Sequence, residues 1–373
     1  MSMKPSMIRP PLSTTVAALP PSVPFVAPEA IERRTGSPLA LRLGANESAF
    51  GISPGAQQAM RAAIAQTSWY ADPENYDLRA GLAAHHRIDI DHIVVGSGID
   101  GLLGLIVRAF VEPGTHVVTS LGTYPTFNYH AIGYGGTLQR VPYAADDRQD
   151  LERLSQNARA LGARLVYLAN PDNPSGTCHR AVDIDALLNS LPPDCMLALD
   201  EAYGEFASAE EVPTIRTDDP RLVRFRTFSK AHGMAGARIA YVIAHTDVTD
   251  AVNKIRNQFE VNRVAQAGAL ASLGDQTFIT SVIDAVAAGR REYMALADRL
   301  GLPTIASSAN FVCIDIGGAD RARDILARLQ RHGVFVRMPG EAPLSRCIRV
   351  TVGTAPQRAQ FAEVFEGIVK GSS

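Results

Sequence analysis

The stretch Arg226-Thr-Phe-Ser-Lys-Ala-His-Gly-Met-Ala-Gly-Ala-Arg-Ile-Ala-Tyr241 decides how the chain is read. Leu222 to Phe228, ahead of its lysine, is apolar-rich and reads as a buried strand; the residues behind it are small and turn-forming, so no long helix is expected there. Lys230 therefore ends a strand inside the protein. Burial disfavours an ammonium, and the neutral amine is the form that condenses with an aldehyde cofactor. Ser229 and Arg238 add a hydroxyl and a permanent cation suited to a phosphate. Taken alone, a Ser-Lys pair reads as an exposed strand end, so the rest of the chain must decide.

With 373 residues the chain exceeds one ordinary core and predicts two packed domains, or one large domain with an appended smaller one. A net charge of -2, without long like-charge blocks, argues against a nucleic-acid surface, and no apolar run is long enough to span a membrane. The expected partner is a small molecule. Cys178, Cys195, Cys313 and Cys347 show neither a Cys-x-x-Cys spacing nor an adjacent histidine pair. Neither a disulfide framework nor a metal site is expected, and reduced cysteines point to the cytoplasm. Pro10, Pro11, Pro20 and Pro21 break the apolar letters after Lys4 and Arg9, which argues against a signal peptide.

Residues 1–28 are Pro-rich and predict an extended N-terminal arm, either laid on another surface or disordered. Residues 29–65 read as the N-terminal part of a small domain. They contain a helix over Pro54 to Ala65 and an irregular Leu41–Gly51 segment, whose Asn46 and Glu47 either approach a substrate or close an Asx turn. Residues 66–274 form the large domain. It opens on Trp69-Tyr-Ala-Asp-Pro73, which leaves Tyr70 in a loop. From Asp91 to Ala244, apolar β-branched runs alternate with helical patterns, which predicts an α/β domain. Seven strands are expected, near His92–Val95, His116–Thr119, Thr137–Pro142, Arg164–Ala169, Met196–Leu199, Val223–Phe228 and Ile239–Ala244. They should form a mostly parallel sheet with helices on both faces. Ligands of such sheets sit beyond the carboxyl ends of the strands.

Gly96-Ser-Gly-Ile-Asp-Gly101 follows the first strand and opens an apolar helix, bringing backbone N–H groups and a helix dipole to a phosphate. It matches the dinucleotide fingerprint in letters, but the next strand ends Val117-Val-Thr-Ser-Leu-Gly122, without the carboxylate a ribose needs. A single phosphate fits better. Beyond the second strand, Thr123-Tyr-Pro-Thr-Phe-Asn-Tyr129 places Phe127 either over a planar cofactor or in the core. Asn170-Pro-Asp-Asn-Pro-Ser-Gly176 presents Asn173 from a proline-stiffened turn, as a donor for a phenolate-like oxygen. The fifth strand ends Leu199-Asp-Glu-Ala-Tyr203, where Asp200 is either a magnesium ligand or the partner of a protonated pyridine nitrogen.

Residues 275–373 read as a C-terminal small α/β domain. A long helix over Asp275 to Leu300 leads to strands at Phe311–Ile316, Val334–Arg337 and Ile348–Val352, with helices at Arg321–His332 and Pro356–Val369. Arg337 and Arg349 interrupt apolar strands, where a guanidinium is costly without an anion. They serve either structural salt bridges or bidentate capture of a substrate anion.

Taken in order, Leu-Gly-Ala-Asn-Glu-Ser-Ala-Phe-Gly from Leu43, Gly-Ser-Gly-Ile-Asp-Gly from Gly96, Asn-Pro-Asp-Asn-Pro-Ser-Gly from Asn170, Asp-Glu-Ala-Tyr from Asp200, Phe-Ser-Lys from Phe228 and Ile-Arg-Val-Thr-Val-Gly from Ile348 carry a family resemblance. The chain resembles the pyridoxal-phosphate-dependent aminotransferases of class I/II, of the aspartate aminotransferase fold type, and most of all their histidinol-phosphate branch. The resemblance implies a fold type I transferase, with a seven-stranded large domain and a smaller α/β domain. It implies that Lys230 forms the Schiff base with pyridoxal 5'-phosphate and then moves the substrate proton, and that Asp200 pairs with the pyridine nitrogen. By the same resemblance Asn173 and Tyr203 bond the ring oxygen, and Phe127 stacks on the ring. Gly98, Ile99, Asp100, Thr227, Ser229 and Arg238 would surround the cofactor phosphate. Tyr70 would reach that phosphate from a neighbouring subunit, which makes a homodimer with shared active sites expected. Arg349 and Arg337 match substrate-anion arginines, with Asn46 and Phe25 close to the substrate.

The activity implied is transfer of an amino group from histidinol phosphate or an amino acid to 2-oxoglutarate. A general or aromatic amino-acid aminotransferase is the nearer alternative, because Phe25 stands where the histidinol-phosphate enzymes tend to carry a tyrosine. A threonine-phosphate decarboxylase is the more remote one.

Overall fold

The computed structural model describes residues 10–19 and 25–371. In chain order its strands are β1 (Leu41–Arg42), β2 (Ile93–Gly96), β3 (His116–Ser120), β4 (Thr137–Val141), β5 (Leu165–Ala169) and β6 (Met196–Asp200). There follow β7 (Leu222–Thr227), β8 (Ala240–Ala244), β9 (Thr304–Ile305), β10 (Phe311–Asp315), β11 (Val334–Phe335) and β12 (Cys347–Thr351). Strands β2 to β8 form one seven-stranded sheet in the order β2-β8-β7-β6-β5-β3-β4. Only β8 runs against its neighbours; the other pairs are parallel.

The apolar runs read from the sequence are continuous because these strands are covered on both faces. Every residue of β2, β5, β6 and β8 is buried. Helix Gly98–Phe110 packs on one face with Phe127 and Tyr167, and helices Leu151–Leu161 and Ala181–Ser190 pack on the other. The observed strands coincide with those expected to within two residues at each end. His92 belongs to a 3-10 turn ahead of β2, and β7 ends at Thr227 rather than Phe228. Lys230 therefore lies in the turn beyond its strand, not on it.

The C-terminal unit packs the antiparallel sheet β9-β10-β12 against helices Gln276–Arg299, Ala319–Arg331 and Ala355–Val369. The strand expected over Val334–Arg337 is shorter. Val334 and Phe335 pair in parallel with β1, and Arg337 instead forms an isolated bridge with Arg349. Through β1 the segment 29–65 does join this unit, but its helix Pro54–Ile64 does not. That helix lies on Arg263–Gly274 of the large domain, so closely that a Cβ on Gly268 would come within 2.6 Å of Met60. An extended arm over 1–28 is also corrected: Thr14–Ala18 is a short helix, capped by Ser13, and a second helix starts at Pro28. Residues 1–9 and 20–24 of that expectation lie outside the described residues. Among the described residues no helix is long and apolar enough to cross a membrane.

Candidate active site

The carboxyl ends of the parallel strands and the C-terminal unit enclose a cavity of about 1150 Å³. Its wall collects Asp100, Tyr124, Asn173, Asp200, Lys230 and Arg349, from six separate segments. The four cysteines are all unpaired and buried.

Lys230 donates from Nζ to the carbonyl oxygen of Asn46 at 3.0 Å and stands 5.5 Å from the centre of the Tyr203 ring. Burial, reinforced by the positive charge of Arg349, pulls its ammonium down to about 8 from 10.5. A minor neutral fraction, about a tenth, is thus present at pH 7. Asn46 itself has left-handed backbone (φ 54°) and is held by Thr351 on both its main-chain N–H and its Oδ1. Its Nδ2 donates to the Tyr203 hydroxyl at 2.9 Å. Tyr203 thereby accepts one hydrogen bond and keeps its own proton to give, and burial pushes that phenol up to about 12.

Helix Gly98–Phe110 points its N-terminus at the cavity with no side chain capping it. Gly98 has φ +83°, and a Cβ there would lie 2.5 Å from an Arg238 nitrogen, so only glycine leaves this cradle open. Arg238 is paired with Asp100 at 3.2 Å, and Asp100 also accepts from the Tyr124 hydroxyl at 2.9 Å. Ser229 and Thr227 complete the cradle, the Ser229 N–H donating to the Thr227 hydroxyl at 3.0 Å. Free N–H groups, two hydroxyls and a guanidinium form a phosphate-sized anion site.

Asp200 closes β6 and is 4% exposed. Its Oδ1 accepts the Ala202 N–H at 3.0 Å and its Oδ2 the Tyr167 hydroxyl at 2.7 Å. No cation faces it among the described residues, and burial pushes its carboxyl up to about 6. The neighbouring Glu201 differs: Arg224 grips it at 2.7 and 2.9 Å with both side chains out of solvent. Asp200 is the buried carboxylate left for a ligand's positive charge.

On the opposite wall Arg349 donates to the Gly44 carbonyl at 2.9 Å and to Asn173 Oδ1, which leaves the Asn173 amide N–H groups to the cavity. Arg337 donates to the Val26 carbonyl at 3.1 Å and lies between the Phe25 and Phe335 rings, 5.4 and 5.3 Å from their centres. Neither arginine meets a carboxylate among the described residues. Phe25 also stacks on Tyr124 with centroids 6.4 Å apart, so residues 25–28 bridge both domains across the cavity mouth.

Phe127 is the clear correction. It is fully buried, stacked on Tyr167 at 4.5 Å, and Tyr124 stands in the cavity wall in its place. The helix beginning at Pro125 turns Phe127 inward and leaves Tyr124 outside its first turn. Tyr70 is 79% exposed and rests beside Phe259 at 4.6 Å, away from this cavity. Tyr124, Tyr167 and Asp172 were not singled out by the sequence. Asp172, fully buried, accepts from Thr123, Tyr143 and Ser175 and so pins the turn that carries Asn173. A carboxylate between two prolines was its available signal; for Tyr167 it was a hydroxyl two residues from the end of an apolar strand.

The model of the family "Aminotransferase class I and II" matches residues 40–367. Histidinol-phosphate aminotransferase 1 of Cupriavidus pinatubonensis is 35% identical over 335 residues, 88% of this chain and 88% of that protein. Histidinol-phosphate aminotransferase of Bacillus velezensis is 31% identical over 354 residues, 94% of this chain and 98% of that protein. Among solved structures, histidinol-phosphate aminotransferase from Sinorhizobium meliloti in complex with pyridoxal-5'-phosphate superposes with a TM-score of 0.94 at 44% identity, covering 98% of this chain and 100% of that one. A Thermus thermophilus aspartate aminotransferase mutant, at 22% identity and TM-score 0.82, covering 97% of this chain and 100% of that one, shares the fold. With the family model spanning both domains and relatives similar over nearly their whole length, the chain is an enzyme of the class I and II aminotransferase family.

Proposed function

We propose that the enzyme uses pyridoxal 5'-phosphate to transfer the amino group of histidinol phosphate to 2-oxoglutarate. The observation that carries the substrate reading is the pair Arg337 and Arg349, two guanidiniums on one cavity wall without a carboxylate between them. One arginine suffices for a monocarboxylate. Two suit a phosphate dianion, and equally a dicarboxylate such as 2-oxoglutarate. The names of the relatives support the same donor.

The residues present fit the cofactor: the cradle at Gly98 is open where a Cβ would close it, and Asp200 is buried without a cation. Helix Gly98–Phe110, Ser229, Thr227 and Arg238 would hold its phosphate, Asn173 and Tyr203 its phenolic oxygen, Asp200 its ring nitrogen, and Tyr124 the ring face. When bound, pyridoxal phosphate supplies an aldehyde carbon for the amine and a ring that accepts an electron pair. Lys230 Nζ, neutral in part, would hold the cofactor's aldehyde carbon and would serve as the acid and base that moves the donor's proton. Arg349 and Arg337 orient the donor by its anion, which sets the bond to be broken relative to Lys230. Phe25 and Tyr124 narrow the mouth and exclude water.

Tyr70, exposed and outside its own cavity, is proposed to complete the phosphate site of a second copy in a homodimer, in the cytoplasm. Sedimentation of the loaded enzyme tests this: a monomer at micromolar concentration would refute it.

The test of function is a single-turnover half-reaction of loaded enzyme with histidinol phosphate, phenylalanine and glutamate, followed by visible absorbance. Fast conversion by histidinol phosphate supports the proposal. Faster conversion by phenylalanine would assign an aromatic amino-acid donor, and carbon dioxide release from threonine phosphate a decarboxylase.

A further inference from the structure

We infer that Tyr167 is a positioning residue, whose hydroxyl aims the Asp200 carboxylate and keeps it ionised for a cation in the cavity; the inference rests on the cofactor reading above. Tyr167 lies on β5 and Asp200 ends β6, and their register is parallel: Tyr167 faces Ala198 and Ala169 faces Asp200. Side chains two residues apart share a face of a strand, so Tyr167, Ala169, Ala198 and Asp200 all point the same way. Ala198 and Ala169 are small. The Tyr167 ring can therefore lie along the sheet and reach Asp200 Oδ2 at 2.7 Å.

The ring has no freedom to leave. Phe127, fully buried, stacks on it with centroids 4.5 Å apart and planes 12° apart. The phenol is fixed as a donor, because burial and the adjacent Asp200 charge push its pKa well above the usual range. Asp200 is held by two hydrogen bonds that define its plane, one from the Ala202 backbone and one from Tyr167. The backbone bond is fixed by the chain; among the described residues the tyrosine bond is the one side-chain hydrogen bond that sets the carboxylate's rotation. It also opposes the charges that face the site: Asp100 on helix Gly98–Phe110 and Glu201 beside it both disfavour a second anion, while burial does so most strongly. Removing the hydroxyl makes the carboxylate more basic. It would then take the proton it should share with a ring nitrogen, and the ring would accept electrons less well.

A purely structural role for Tyr167 predicts something else. Tyr167→Phe keeps the stack on Phe127 and deletes only the hydroxyl, so packing alone would leave the cofactor's electronic state untouched. The experiment loads wild type and Tyr167→Phe with pyridoxal phosphate isotope-labelled at the ring nitrogen and reads that nitrogen's resonance, together with the half-reaction rate. We expect the resonance to move toward the neutral ring and the rate to fall about ten- to hundred-fold, as for one hydrogen bond to a charged group. In an Asp200→Asn background the same substitution should change neither, because its effect passes through Asp200. Biosynthetic incorporation of a fluorinated tyrosine at 167, a stronger donor with the ring kept, should shift the resonance the other way, and stands in if Tyr167→Phe does not fold. An unchanged resonance and rate in loaded Tyr167→Phe, or in the fluorotyrosine protein, overturns this role alone. A wild-type protein that takes up no pyridoxal phosphate overturns the cofactor reading and this role together.

Discussion

Arg337 and Arg349 exchange both main-chain hydrogen bonds of an antiparallel bridge, N–H of Arg337 to O of Arg349 at 3.2 Å and the reverse at 2.6 Å. Directly opposed residues send their side chains to one side, so two like charges are set side by side by the backbone itself. Such a pair is tolerable where an anion enters between them. Arg349 is the deeper, and Arg337 reaches the mouth through Phe25. Arg337→Ala should therefore raise the KM for a phosphorylated donor about tenfold or more and leave a monocarboxylate donor nearly unchanged. Arg349→Ala should impair both. Steady-state kinetics with histidinol phosphate and phenylalanine decide it; equal losses for both donors in Arg337→Ala would remove the division of labour.

The depressed pKa of Lys230 has a pH signature. Its neutral fraction grows through its folded value near 8, so the rate of loading by pyridoxal phosphate should rise from about pH 7 to 9 and then level. The apoenzyme shares the sign. The unfolded lysine keeps its proton up to about 10.5 while the folded one releases it near 8, so unfolding takes up a proton between these values and stability rises with pH across that window. Lys230→Met should remove that component of the slope. A loading rate still climbing steeply beyond about pH 10 would mean that the amine is not desolvated.

Gly98→Ala tests the phosphate cradle. The left-handed backbone costs an alanine about 1–2 kcal/mol, and its Cβ would displace Arg238, 2.5 Å away. Apoenzyme stability should fall by that amount, and the dissociation constant for pyridoxal phosphate should rise about tenfold, more than the stability loss alone explains. Titration of the visible absorbance measures it. Unchanged affinity would place the phosphate elsewhere.

Glu201→Gln leaves Arg224, fully buried, with a charge and no carboxylate. Losing one member of a buried pair costs about 3–5 kcal/mol, which urea unfolding of the apoenzyme should register. A loss under about 1 kcal/mol would mean that the remaining bond to the Thr214 carbonyl, 2.9 Å long, satisfies the guanidinium.

The sequence alone determined the seven strands and the residues that follow β2, β5, β6 and β7. Strands covered on both faces must be apolar throughout, and chemistry at their carboxyl ends leaves polar residues just past each run. Those signals are local. The tertiary structure decided what depends on rotation and on partners far along the chain. Two aromatics three residues apart, Tyr124 and Phe127, look equivalent in the sequence until the helix at Pro125 turns one into the core. Helix Pro54–Ile64 carries the same apolar stripe whichever domain it packs on; only its fit against Gly268 settles the choice. The carbonyl that meets Lys230 belongs to Asn46, and the hydroxyl that meets Asp200 to Tyr167. Hydrogen bonds act over about 3 Å of space regardless of separation in sequence, so no spacing rule could have announced them.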